Sequence, residues 1–352
     1  MKDGVYVVHF GRPTSRLNAI LDTALDGYQT VHLFARDLVR YDLTECKILF
    51  TASVDRWGMA DGLNAFLLHT RKYSSAFLHS CGALIVDGVT ELYTKDIART
   101  IVLAANLSGC AFMGKPLVEA TATLRNFFVL SHLREEDVGL AYRDSACELV
   151  KRLSLFELPT KKRARIVVLH ASNRKSSNTM ALGALVRDAL PKELEMEEYS
   201  LASGGIYDCN GCSYKTCAHF AETSTCFYGG SVAQEIFPAI ALSDGVFLLC
   251  PNYNDALSAN FSAMVNRLNA LALKTDLKSK YVFAVVVSGY SGSDIVAKQL
   301  LDGFCLNKGM ILPPYFTMLE TSNDPGSVLQ LPGIRERAAT FAHNLTNTLL
   351  DK

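Results

Sequence analysis

The sequence carries no excess charge of either sign: 35 basic residues meet 35 acidic ones across 352 positions. Without a basic surplus, nothing draws the chain to nucleic acid or to an anionic membrane. Long apolar runs are missing too. The most apolar stretches, such as "YVFAVVVSGY", fall far short of the roughly 20 residues that a membrane-spanning helix needs. The opening "MKDGVYVVHF" lacks the basic region, apolar core and small-residue cleavage site of a secretory leader, so a cytoplasmic chain is expected. Tryptophan occurs once. The spaced-glycine pattern Gly-x-Gly-x-x-Gly, which cradles a pyrophosphate, does not occur after any strand-like run.

Cysteine, by contrast, occurs ten times. A cytoplasmic chain keeps its thiols reduced, which argues against a disulfide framework. Four of the ten fall in the nineteen residues "DCNGCSYKTCAHFAETSTC", Asp208 to Cys226. Cys46, Cys81, Cys110, Cys147 and Cys305 lie in apolar surroundings and are expected in cores, as is Cys250 at the end of a buried strand.

Short β-branched runs alternate with stretches of helical length, the pattern of a parallel sheet covered on both faces. In the second half the strand candidates are "RIVVLH", "LEMEEYSL", "DGVFLLCP", "KYVFAVVVSG" and "GMILPPYF", interleaved with helix candidates that end in "PGIRERAATFAHNLTNTLL". The first half repeats the plan: "VYVVHF" answers "RIVVLH", and "KILFTASVDRWGMADGLNAFL" answers "GVFLLCPNYNDALSANFSAMV". A tandem duplication is expected, joined near "LPTKKRAR", with domains at 1–157 and 163–352. The predicted fold is α/β: two flavodoxin-like, doubly wound domains, each a five-stranded parallel sheet with helices on both faces.

Ligands of such folds sit beyond the carboxyl ends of the strands. After "RIVVLH" comes "ASNRKSSNT", where Ser172, Ser176, Ser177, Asn178 and Thr179 with Arg174 surround a helix start. That set can cradle a phosphate dianion or simply cap the helix. "CPNYNDALSAN" follows the third strand with Pro251, Asn252, Tyr253 and Asn254, and "SGYSGSD" follows the fourth with Ser288, Gly289, Tyr290 and Gly292. Three polar, small-residue loops at consecutive strand ends suit a planar cofactor with a phosphate tail.

These residues resemble the NAD(P)H-dependent FMN reductases of the flavodoxin-like superfamily. That family's phosphate loop reads Gly-Ser-x-Arg-x-x-Ser-x-Thr, matched here by Ser172, Arg174, Ser177 and Thr179 with Ala171 in place of glycine; its Pro-x-Tyr is matched by Pro251 and Tyr253. "VNRL" resembles a helix segment that usually ends Asp-Arg, with Asn266 replacing the acid. The resemblance covers the chain from Arg165 onward and reaches the first half only through the repeat. It implies noncovalent FMN, its phosphate on residues 172–179 and its ring against 251–254 and 288–292, with NAD(P)H as transient donor. The expected function is a flavin-dependent oxidoreductase passing electrons to a small-molecule or protein acceptor. The alternative is a non-enzymatic electron carrier or flavin-dependent sensor, although such carriers are usually acidic. Flavin supplies the hydride chemistry, so no ionisable side chain is singled out as catalytic.

The cysteine stretch resembles that of iron–sulfur flavoproteins, whose run is Cys-x2-Cys-x2-Cys with a fourth cysteine further on. Here Cys209, Cys212, Cys217 and Cys226 are spaced x2, x4 and x8. A [4Fe–4S] cluster, tetrahedral zinc, a dithiol and inert thiols all remain open, and His219 reads as a solvated loop residue. The first half lacks this stretch. It carries "FGRPTSRLNAI", with Pro13 intruding, where the phosphate loop should be, and Ala52 and Val54 opposite Pro251 and Tyr253. One half is expected to bind, giving one FMN per chain as a monomeric internal pseudo-dimer or a homodimer. Trp57, in "SVDRWGMADG", either walls a flat ring or packs between the halves.

Overall fold

The computed structural model describes residues 4–172, 177–202 and 205–351. The chain divides into two compact units, 1–157 and 158–352.

In the first unit, β1 (Val5–Phe10), β2 (Thr30–Phe34), β3 (Lys47–Val54), β4 (Cys81–Gly88) and β5 (Ala111–Ala120) form one parallel sheet in the order β2-β1-β3-β4-β5. The helices are α1 (Ser15–Ala24), α2 (Leu63–Lys72), α3 (Thr94–Asn106), α4 (Phe128–Arg134) and α5 (Val138–Leu155). Helices α1 and α5 pack together, as do α2 and α3. The strands are continuous apolar runs because both faces are covered: every residue of β4 is buried. Phe10, Phe50, Phe66, Phe77 and Phe112 interlock in the core as tilted and edge-to-face pairs.

The second unit has the same strand order. β6 (Ala164–His170), β7 (Leu194–Ser200), β8 (Gly245–Pro251), β9 (Tyr281–Ser288) and β10 (Thr317–Thr321) run β10-β9-β8-β6-β7. Its helices are α6 (Asn178–Asp188), α7 (Tyr214–Ala221), α8 (Phe237–Leu242), α9 (Ala259–Ala272), α10 (Ser293–Leu300) and α11 (Ile334–Leu349). Both sheets therefore have the flavodoxin-like order, in which the chain reverses direction across the sheet between its first and third strands. That reversal opens a crevice at the carboxyl ends of β1 and β3 in one unit, and of β6 and β8 in the other. No helix among the described residues is long and apolar enough to cross a membrane.

Two elements differ from the sequence-based expectation. "GMILPPYF" is not the fifth strand of the second sheet; its Ile311 makes an isolated bridge to Tyr281, and the strand is Thr317–Thr321. Pro313 and Pro314 have no N–H to give to a ladder, so pairing with β9 resumes beyond them. The cysteine stretch is not one loop but contains α7, whose start is fixed by Ser213: its hydroxyl accepts from the Thr216 N–H at 3.2 Å.

Candidate functional site

The site is assembled where β6, β8 and β9 end side by side. Ser177 caps α6, its Oγ accepting from the Met180 N–H at 3.3 Å, so the helix opens directly after the phosphate-loop segment. The unpaired N–H groups of its first turn and the positive end of its dipole favour an anion there. At the end of β8, Tyr253 and Ala256 close a tight turn through mutual backbone hydrogen bonds of 3.1 and 3.2 Å. Its two central residues, Asn254 (φ 53°) and Asp255 (φ 57°), are both left-handed, a conformation that Asn and Asp tolerate better than most residues.

Asn252 ties the second and third loops together. Its Nδ2 donates to Ser288 Oγ at 3.0 Å, to the Ser291 carbonyl at 2.8 Å and to Asp255 Oδ1 at 3.2 Å. Ser288, fully buried, shares a hydrogen bond with Ser293 Oγ at 2.7 Å. The amide oxygen of Asn252 is buried and has no partner among the described residues. An orphaned acceptor of this kind costs on the order of 1–3 kcal/mol unless a ligand supplies the donor. Gly292 (φ 83°) sits over this junction, where a Cβ would fall 1.9 Å from Asp255 Oδ1.

The expected residues do not all share one role. Ser177, Asn252 and Ser288 build the loops, Pro251 and Gly289 are half-buried between them, and the rings of Tyr253 and Tyr290 are exposed beside them. Ser172 is half-buried at the end of β6. Thr179 is buried in the first turn of α6. Asn178 faces elsewhere: its Nδ2 donates to the Ser322 and Asp324 carbonyls at 3.0 and 2.9 Å, and its Oδ1 accepts from Val328 N–H, stapling α6 to the segment after β10. Arg174 and Ser176 lie outside the described residues.

Residues 164–324 match one family, described as NADPH-dependent FMN reductase. That match falls wholly within the second unit. The match spans a little under half of the chain and holds all three loops. Solved structures to which the chain is similar include the NAD(P)H:quinone oxidoreductase from Methanothermobacter marburgensis, at 13% identity over 53% of this chain and 95% of that one, with a TM-score of 0.39. An azoreductase from Bacillus anthracis str. Sterne is 14% identical over 53% of this chain and 96% of that one, TM-score 0.32. Trp repressor binding protein from Bacillus subtilis is 16% identical over 50% and 96%, TM-score 0.35. A comparison with curated proteins returns no match.

Sequence reasoning missed several supports of the site, because each reaches across tens of positions. Gln299 of α10 accepts from Leu257 N–H at 2.9 Å and donates to the Asp255 carbonyl at 3.0 Å, holding the loop after β8 on both sides of Ala256. Asn260 donates to the Leu201 carbonyl at the end of β7. Arg267 is only 2% exposed, and its guanidinium donates to the Tyr207 carbonyl at 3.4 Å and the Gly229 carbonyl at 2.6 Å. It grips both ends of the segment that carries the four cysteines. Asn266 adds a bond from Nδ2 to Asp208 Oδ1 at 2.9 Å. The Asn266–Arg267 pair thus anchors the cysteine segment.

The four cysteines themselves do not come together as ligands. Among the described residues, no group of three or more His, Cys, Asp or Glu side chains could hold a metal ion. Cys217 lies on α7, with Cys209 and Cys212 before that helix in the chain and Cys226 after it. As arranged, the residues do not fit an iron–sulfur or zinc centre, and no electron step is routed through one. The thiols still sense each other. Burial raises the Cys217 pKa first, and the neighbouring Cys226, Cys212 and Cys209 raise it further. Cys217 should therefore react slowly with iodoacetamide at about pH 8, and Cys226→Ser should speed it by removing a neighbouring thiol that holds its pKa up. Mass spectrometry of the labelled peptide reads this out, and an unchanged rate in Cys226→Ser would mean the coupling is absent.

The first unit fills the corresponding place from within. Asp87 at the end of β4 is 1% exposed and receives both arms of Arg16, Nε at 2.8 Å and Nη2 at 3.1 Å, from the first turn of α1. Thr14, the cap of α1, donates to the same carboxylate at 3.3 Å, as does the buried Tyr142 hydroxyl. Tyr142 is driven well above the usual phenol range, by burial first and then by the Asp87 charge. A carboxylate at the N-terminus of α1, neutralised by a guanidinium fork, takes up the donors that a phosphate would need.

Proposed function

We propose that the second unit binds one FMN per chain noncovalently, phosphate on the loop before α6 and ring against residues 251–254 and 288–292, and that it oxidises NAD(P)H for a small-molecule or protein acceptor in the cytoplasm. The observation that carries this reading is the meeting of the three loops at adjacent strand ends inside the segment that matches the FMN reductase family. The residues fit the group: α6 offers an anion site, and the buried Asn252 Oδ1 is an acceptor without a donor among the described residues. When bound, FMN supplies the hydride and electron chemistry.

The chain supplies placement. Asn252, pinned by Ser288 and the Ser291 carbonyl, presents a fixed acceptor, and Gly292 keeps the backbone open to close approach. Asp255 is occupied by Asn252, so no proton carrier is needed from this loop. The absence of net charge favours an enzyme over an acidic electron carrier.

Arg174→Ala combined with Ser177→Ala should strip the flavin and weaken FMN binding by about 100-fold, the loss of a charge-assisted contact together with a helix cap. Flavin absorbance after gel filtration measures it, and a double variant that keeps its full yellow colour would refute the phosphate assignment. The same preparation gives the stoichiometry: two flavins per chain would overturn the single-site reading.

A further inference from the structure

We propose that the first unit holds a second small-molecule site, a cleft that takes an uncharged, flat aromatic compound without a phosphate. The cleft has a volume of about 640 Å³ and opens at the carboxyl ends of β1 and β3, between the turn that leads into α1 and the loop 55–62 that leads into α2. Its size and its place at the sheet's reversal point are those of small-molecule sites in this fold class. The cleft lies outside residues 164–324, so the family match says nothing about it.

The polar groups on its floor turn away an anion. The Thr14 N–H donates to Ser53 Oγ at 3.3 Å, the Thr14 hydroxyl accepts from Leu17 N–H at 3.1 Å, and Arg16 is held on Asp87. Two carboxylates, Asp55 and Asp61, line the cleft against one guanidinium, Arg12. A phosphate dianion would find these donors engaged and two like charges nearby.

The rim attracts a flat apolar body instead. Trp57 is 76% exposed, and Met59, Val89, Leu92 and Tyr93 are also exposed, on the loops after β3 and β4 that border the cleft. Large apolar side chains left together in water mark a binding surface. This rim is already ordered. Asp55 Oδ1 accepts from the Trp57 and Met59 N–H groups at 2.8 and 2.9 Å, and the Asp55 N–H donates to the Met59 carbonyl at 2.9 Å. Gly58 (φ 78°) lies flat against Tyr93, where a Cβ would come within 2.6 Å of the ring. A ring entering the cleft meets the aliphatic side chains of Val54, Met59, Leu63 and Val89, with Ser53 and Asn64 available to orient it and the Trp57 ring on the bordering loop to stack on its exposed edge.

The test uses the full chain loaded with FMN and lumichrome as probe, a flat uncharged alloxazine with neither ribityl chain nor phosphate. Calorimetry should show one saturable site, and emission from Trp57, the chain's only tryptophan, should quench in step. Asn64→Phe, which fills the cleft, and Trp57→Ala, which removes the aromatic ring from its rim, should each weaken binding at least about tenfold, the scale of one lost aromatic contact. Asn64→Phe should leave flavin content and NADPH oxidation unchanged, which separates this site from the flavin site. Inorganic phosphate should not compete. The proposal is overturned if no saturable binding is seen, if neither variant weakens it, or if free FMN displaces lumichrome as readily as unlabelled lumichrome does.

Discussion

Gly292→Val is expected to lower the affinity for FMN by about 100-fold or more, roughly 2.7 kcal/mol, while the second sheet stays folded. Two costs combine. At φ 83° a β-branched residue is strained by on the order of 1–3 kcal/mol. The new Cβ would also fall 1.9 Å from Asp255 Oδ1 and 3.0 Å from Asn252 Nδ2, so both side chains must leave the positions that join the two loops. NADPH oxidation at a fixed flavin concentration should fall with flavin occupancy. Gly326→Val is the control: its φ is 78°, but nothing lies within 4 Å of its Cβ, so it carries the strain without the crowding. If both variants keep FMN equally well, the junction of Asn252, Asp255 and Gly292 is not part of the flavin site.

The second large effect is expected in the first unit. Asp87→Ala should destabilise it by about 3 kcal/mol, because removal leaves the Arg16 fork, the Thr14 hydroxyl and the buried Tyr142 hydroxyl without their common acceptor. Arg16 is about one-third exposed, which keeps the figure at the low end for a broken ion pair. Asp96→Ala, which breaks the exposed ion pair with Arg99, should cost well under 1 kcal/mol. Hydrogen exchange of peptides from β1 and β4 reports on this unit alone. Equal protection in Asp87→Ala and Asp96→Ala would show that the carboxylate does not hold the unit together.

Much of the architecture was legible because a doubly covered parallel sheet writes each strand as a short β-branched run. "VYVVHF" is β1 letter for letter, and "KYVFAVVVSG" overshoots β9 by one residue at each end. The reading failed where apolar content and hydrogen-bonding capacity part company. "GMILPPYF" has the composition of a strand, but its prolines cannot pair, and "SYKTCAHFA" was hidden as a helix by the cysteines around it. The loops after β8 and β9 were placed correctly at the same edge because their strands are neighbours. Side-chain direction could not be read: Asn178 sits in the phosphate-loop motif yet turns to Ser322 and Asp324, 144 and 146 positions away. Arg267 and Gln299 act through backbone carbonyls and amides, which leave no mark on the sequence of the segment they hold.

The carboxylate of Asp87 gives the first unit an anion that is part of its own chain, present at a local concentration that no dilution or starvation can lower. The second unit, on the reading proposed above, borrows its anion from solution, and its stability follows mass action. A free FMN level 100 times the dissociation constant adds about 2.7 kcal/mol to that unit, and the contribution vanishes as flavin runs out. Flavin supply would thus set the lifetime of one half of the polypeptide and leave the other untouched, so that limited proteolysis of a flavin-depleted preparation cuts first beyond residue 158.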